Sequence, residues 1–206
     1  MQNKNKNKNK KAGYTIIETM IAVSIFIIII MIGMEALLNA NLLHNKSQNM
    51  RSIMDNLSFV MEDMSRNLRT GYNYHCLILG QDSLPTSTMS NPKSCLSGGW
   101  GIAFESASGA TDNNDDQWIY YINNGKIFKS TQGPSDLFNF IQLTPDEVVI
   151  DPVNSDFSVL GAEPPPSNNQ QPFVTIRLVG KINFKGVETP FSLQTSVSQR
   201  AIDIGN

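Results

Sequence analysis

Polar positions dominate the chain from Asn3 to Lys11, where Lys4, Lys6, Lys8, Lys10 and Lys11 stand among asparagines; after Ala12-Gly13 the pattern turns apolar with Tyr14-Thr15-Ile16-Ile17. No charged residue occurs from Thr19 to Met34, and Ile25 to Ile32 is wholly apolar. The stretch from Tyr14 to Leu38 is long enough to cross about 30 Å of hydrocarbon. A lone span can satisfy its backbone in lipid only as a helix, so its β-branched residues do not count against that assignment. Two carboxylates fall inside it, Glu35 near its far end and Glu18 four residues from its start. A charge at mid-bilayer costs roughly 2.5 to 3.5 kcal/mol on the lenient insertion scale, and carboxylates kept in such segments have a function and a partner.

Beyond the span the apolar positions change period. Met50, Leu57 and Met64 recur every seven residues, as do Met54, Met61 and Leu68, with Ile53 and Val60 beside them. These form one apolar stripe on a helix. Arg51 with Asp55 and Glu62 with Arg66 are i,i+4 opposite-charge pairs on its wet side, and Gly71 is the expected stop. A helix from Tyr14 to Thr70 would hold 57 residues, on the order of 85 Å. The stripe fits packing on the chain's own sheet or, alternatively, a coiled-coil partner; the first is preferred, because a following sheet needs cover.

After Tyr72 the pattern becomes short β-rich runs between Gly, Pro, Asn and Ser. Strands are expected at Tyr74–Leu79, Gly101–Phe104, Trp118–Ile122, Lys126–Lys129, Val148–Ile150, Phe173–Val179 and Phe191–Val197, with a weaker one at Phe157–Leu160. Asn123-Asn124-Gly125 reads as a tight hairpin turn between Trp118–Ile122 and Lys126–Lys129. Pro164 to Asn169 reads as a loop, and Gly98-Gly99-Trp100-Gly101 as a turn. The expected fold is α+β, a long N-terminal helix packed on an antiparallel β-sheet.

Charge changes this picture in one respect. The formal net charge of −2 conceals an asymmetry: without residues 1–13 the 16 basic side chains fall to 11 against 18 acidic ones, formally −7 before counting the new amine. A direct nucleic-acid surface is therefore not indicated. The basic flank keeps the N-terminus cytoplasmic and sends the C-terminal part out. A cleaved secretory signal fits poorly, since Leu38-Asn39-Ala40 is no clean small-x-small site.

Cys76 and Cys95 are the two cysteines, with 18 residues between them, and the expected topology puts both outside the cytoplasm. A disulfide follows, the alternative being two reduced thiols. No catalytic constellation is found: His44 and His75 lack metal-ligand spacing, and adjacent His75 and Cys76 would point to opposite faces of a strand. The loop Asp112-Asn113-Asn114-Asp115-Asp116 carries hard oxygen ligands without the EF-hand pattern; a solvated loop is preferred over a calcium site, and no metal ligand is named. No cofactor is expected.

The order basic leader, Gly13, Tyr14-Thr15-Ile16-Ile17-Glu18, apolar span resembles the class III signal sequence of type IV prepilins and pseudopilins, over roughly the first forty residues. The resemblance implies a pilin-like fold, with cleavage after Gly13, N-methylation of Tyr14 and Glu18 as the filament-assembly carboxylate. It implies a leader at 1–13, a transmembrane helix at 14–38, an extracytoplasmic amphipathic continuation at 39–71 and a β-rich domain at 72–206. Implied partners are other pilin or pseudopilin subunits, a prepilin peptidase and methyltransferase, and inner-membrane assembly machinery with its ATPase. Two positions depart from the common pattern: Tyr14 where phenylalanine is usual, and Glu35 where major pilins carry proline, which points to a minor subunit. The hairpin of Trp118 to Lys129 and the segment Leu193 to Arg200 are loosely similar to J-type minor pseudopilins of type II secretion. The expected function is that of a minor subunit in a pilus, secretion or competence filament, without enzymatic activity. The alternative is a signal-anchored single-pass protein whose β-rich ectodomain binds a ligand without polymerising.

Overall fold

A computed structural model of the chain describes residues 13–84, 89–135 and 139–200. The basic leader through Ala12 lies outside the described residues. The chain divides into two units, residues 1–48 and 49–206, and one α-helix, α1 (Ile16–Thr70, 55 residues), contributes to both.

In the first unit every described side chain from Gly13 to Asn45 is exposed. This part of α1 is long and apolar enough to cross a membrane. Its exposed residues include Ile17, Phe26 and Ile30. Such a surface is stable in lipid, where the helix satisfies its own backbone.

In the second unit the apolar stripe of α1 packs on strands. Ile53, Leu57, Val60, Met61, Met64 and Leu68 are buried, and Met50 and Met54 pack against them. The heptad stripe therefore faces the chain's own sheets. Glu62 and Arg66 form the expected ion pair at 2.7 Å, whereas Arg51 and Asp55 make none. Both long side chains of an exposed pair keep their rotamer freedom at little energetic loss.

Ten strands follow: β1 (Tyr72–Leu77), β2 (Cys95–Gly99), β3 (Gly101–Glu105), β4 (Trp118–Asn123), β5 (Lys126–Ser130), β6 (Ile141–Gln142), β7 (Val148–Ile150), β8 (Asp156–Leu160), β9 (Phe173–Phe184) and β10 (Val187–Ser198). They form two antiparallel sheets where one was expected, ordered β1-β3-β4-β5-β6 and β10-β9-β8-β2, with β7 also on β9. One core cluster joins the α1 stripe to Ile102, Phe104 and Tyr120 of the first sheet and to Phe157, Ile176 and Ile182 of the second. Alternation sends the neighbours Leu77, Ala103 and Ile119 to the other face of the first sheet, where they meet Met89, Leu84, Trp100 and Phe140.

Two local readings change. Gly99-Trp100-Gly101 is the crossover from one sheet to the other and no simple turn. A Cβ on Gly99 would lie 2.3 Å from the Leu77 carbonyl oxygen, so β2 can reach β3 over β1 only with glycine there. The late strands run to 12 residues each and join through the two-residue turn Lys185-Gly186, with φ of 49° and 77°, the same left-handed pair as Asn124-Gly125. Gly180 and Pro190, just outside the expected strands Phe173–Val179 and Phe191–Val197, lie inside the observed ones. Gly180 admits Val149 and Phe191 against its backbone, and Pro190 stands on a sheet edge where no N–H is needed.

Candidate functional site

The segment expected to be processed lies at the start of α1. Gly13, Tyr14 and Thr15 precede the helix, and the Tyr14 side chain is 83% exposed. The Glu18 backbone N–H donates to the Thr15 carbonyl at 3.1 Å and to Thr15 Oγ1 at 3.4 Å. Thr15 thus caps the helix and Glu18 occupies its first turn, where the exposed N–H ends of the helix favour a negative charge. The Glu18 carboxylate makes no ion pair or hydrogen bond among the described residues. Among the described residues a Cβ placed on Gly13 would meet nothing within 4 Å, and Gly13 does not take the left-handed conformation. The fold itself therefore imposes no need for glycine at position 13.

In the second unit Cys76 and Cys95 are joined, their Cα atoms 5.9 Å apart and 19 positions apart in sequence. The bond ties β1 of one sheet to β2 of the other. The intervening segment is also held by Lys93 Nζ on Asp82 Oδ2 at 2.7 Å and by His75 Nδ1–H donating to the Asn91 carbonyl at 2.7 Å. Burial pushes the Asp82 carboxyl up, but the Lys93 ammonium, the Ile78 N–H and His75 outweigh it and hold Asp82 below its usual range. Of the acidic loop, Asn114–Asp116 forms a short 3₁₀ turn in which Asn113 accepts from the Asp115 N–H and Asp116 from the Ala110 N–H. Among the described residues no three His, Cys, Asp or Glu side chains converge. A cleft of about 650 Å³ is lined by Trp100, Tyr121, Asn123, Val153 and Asp156, and its charged lining, Asp82 and Asp156, is acidic.

Residues 8–34 match the prokaryotic N-terminal methylation motif. The chain opens with a type IV prepilin-like class III signal sequence. No curated protein and no solved structure matches the chain. The matched segment spans Gly13, Tyr14 and Glu18, and continues into the exposed apolar part of α1. A class III signal followed by a helix of this length and apolarity fits a single-pass membrane protein, and the α+β head is consistent with a pilin fold.

One polar cluster in the second unit was not anticipated. Asp63 Oδ2 accepts from Lys129 Nζ and from the Tyr120 hydroxyl, each at 2.9 Å, while Asn67 Nδ2 donates to Asp63 Oδ1 at 2.9 Å and to the Tyr120 oxygen at 2.8 Å. Lys129 also lies 4.5 Å over the Trp118 ring. Desolvation pushes Asp63 up, but the bonds from Lys129, Tyr120 and Asn67 prevail and hold its pKa low. The lock fixes α1 on β4 and β5. Its only sequence signal was the i,i+4 spacing of Asp63 and Asn67, because Tyr120 and Lys129 arrive from more than fifty positions away.

Proposed function

We propose that this protein is a minor pilin or pseudopilin subunit: inserted as a precursor, cleaved between Gly13 and Tyr14, methylated on the new Tyr14 amine and assembled into a filament of a pilus, secretion or competence system. The methylation motif over residues 8–34 carries the reading. Gly13 supports it, since a glycine for which the fold has no use fits a requirement imposed by a peptidase. The basic flank orients the leader toward the cytoplasm and the β-rich head outward. In this reading Glu18 pairs with the Tyr14 amine, its own or a neighbour's, which offsets the cost of a carboxylate in lipid. The chemistry is done to the chain, and its partners are the peptidase and methyltransferase, the assembly machinery and other pilin-like subunits. Glu35 in the place of proline and the strand pattern of the head favour a minor, J-type-like subunit.

Mass analysis of the N-terminal peptide, from membranes of a host with an active prepilin peptidase, tests the reading. A mature chain starting at methylated Tyr14 is expected. Gly13→Val should leave the head folded and abolish cleavage. An intact lysine-rich leader on the parent chain would overturn the reading in favour of a simple signal anchor.

A further inference from the structure

The second sheet ends in an edge of unusual character. Among the described residues β10 pairs with β9 alone. The two-residue turn at Lys185-Gly186 makes Phe184 and Val187 a hydrogen-bonded pair, so odd-numbered residues of β10 direct their N–H and C=O groups at β9. The same parity holds past the strand, where the Gln199 N–H donates to the Pro172 carbonyl at 3.0 Å. Even-numbered residues point their backbone groups the other way. At position 200 that outward N–H is taken by the Arg69 carbonyl of α1 at 2.8 Å. No described backbone group takes those of Ser192, Gln194, Ser196 and Ser198.

Proteins usually blunt such an edge with charge or proline. The first part of β10 is blunted in this way: Pro190 occupies an outward position, and Glu188 pairs with Lys181 at 2.7 Å. From Phe191 to Ser198 there is no charge and no proline. Phe191 and Val197 are buried and Leu193 packs on the core, whereas Ser192, Gln194, Ser196 and Ser198 are exposed. An added strand must therefore be uncharged and must alternate apolar with small polar residues.

We propose that this edge pairs antiparallel with the same segment of a second copy of the chain, joining two heads through one continuous sheet. Residues 191–198 meet their own requirement. Pairing centred on Gln194 sets Phe191 opposite the partner's Val197 and Ser192 opposite the partner's Ser196, with no like charges opposed on a molecule whose head is net acidic. Confinement of the apolar helix to one membrane raises the effective concentration of copies. The inference rests on the edge and not on processing of the N-terminus.

Hydrogen exchange on the full chain in detergent micelles, at increasing protein-to-detergent ratio, tests it. The amides of residues 192, 194 and 196 should slow by about tenfold or more as dimers form, while those of residues 193, 195 and 197 stay protected throughout. Ser196→Pro removes only an outward N–H, as Pro190 already does, and should abolish the dimer with the odd-numbered amides unchanged. If that variant fails to keep them protected, Gln194→Lys, which opposes two ammonium groups at the centre of the pairing, serves in its place. Dimers whose even-numbered amides still exchange freely would assign association to the helix and overturn the proposal. Protection independent of concentration, or a proline or lysine variant that dimerises like the parent, would overturn it equally.

Discussion

Replacing both Cys76 and Cys95 by alanine removes the covalent tie between the two sheets while leaving each strand's own ladder in place. The loop closed by the bond spans 19 positions. Chain entropy for a loop of about 20 residues puts the loss at about 3 kcal/mol, acting through a less constrained unfolded state. The contacts Lys93–Asp82 and His75–Asn91 persist in the folded variant and do not diminish that term, because they are absent from the unfolded chain whichever way the cysteines stand. Cys76 is fully buried and Cys95 nearly so, and removing two sulfurs from packed surroundings adds about 1 kcal/mol or more. For a chain of this size the sum corresponds to a fall in melting temperature of roughly 8 to 16 °C. Fluorescence of Trp100 and Trp118 reports on the head alone, since α1 contains no tryptophan. Denaturant titration of the full chain in micelles, followed by that signal, should show the midpoint falling with an unchanged or larger slope. A loss below about 1 kcal/mol would refute the entropic argument. Full alkylation of both cysteines in exported protein, without prior reductant, would refute the bond itself.

Glu18→Val should leave insertion and cleavage intact and reduce filament incorporation, since a buried ammonium deprived of its carboxylate costs roughly 3 to 5 kcal/mol; crosslinking to other pilin-like subunits at equal abundance is the check. Glu18→Gln separates this from the local role in the first turn of α1: a helix-start role predicts a small effect on incorporation, a charge-pair role the same loss as valine. Asp63→Asn should destabilise the head by about 1 to 2 kcal/mol, because the bonds from Lys129 and Tyr120 lose their charged acceptor at a half-exposed site. With its pKa lowered from 3.8, Asp63 contributes stability that is whole above that value and disappears as pH falls through the lowered one, so the variant's acid limb should be flatter in pH-dependent melting. Glu105 has the opposite sign: it is fully buried, desolvation and then Asp116 raise its pKa against the Gln117 hydrogen bond, and its Oε2 has no donor among the described residues. Its contribution is whole below 4.5 and lost as pH rises through the raised value, so Glu105→Gln should stabilise the head at neutral pH and leave it unchanged in acid, as thermal melts at both pH values would reveal.

What the sequence by itself determined lies where neighbouring residues decide the outcome. Basic leader, glycine, glutamate and apolar span are read in order along some thirty positions, and no distant contact is needed to recognise them. The seven-residue recurrence from Met50 to Leu68 sets one face of a helix, and that face is the one buried. Asn124-Gly125 supplies the left-handed pair its hairpin needs, and two cysteines leave one pairing. Tertiary structure decided the rest. Cys95–Gly99 becomes a strand only because β8 and the disulfide hold it, and its Ser-Gly-Gly sequence has little strand preference of its own. Gly180 and Pro190 survive inside 12-residue strands because one faces an approaching backbone and the other a free edge, a distinction made by neighbours far away in the chain. The split into two sheets follows the same logic. Strand period says which residues share a face, but which strands share an edge depends on how the α1 stripe and both inner faces fill one core. The Asp63 lock was illegible for that reason, since a carboxylate on the rim of a helix gains its partners only after the helix has docked.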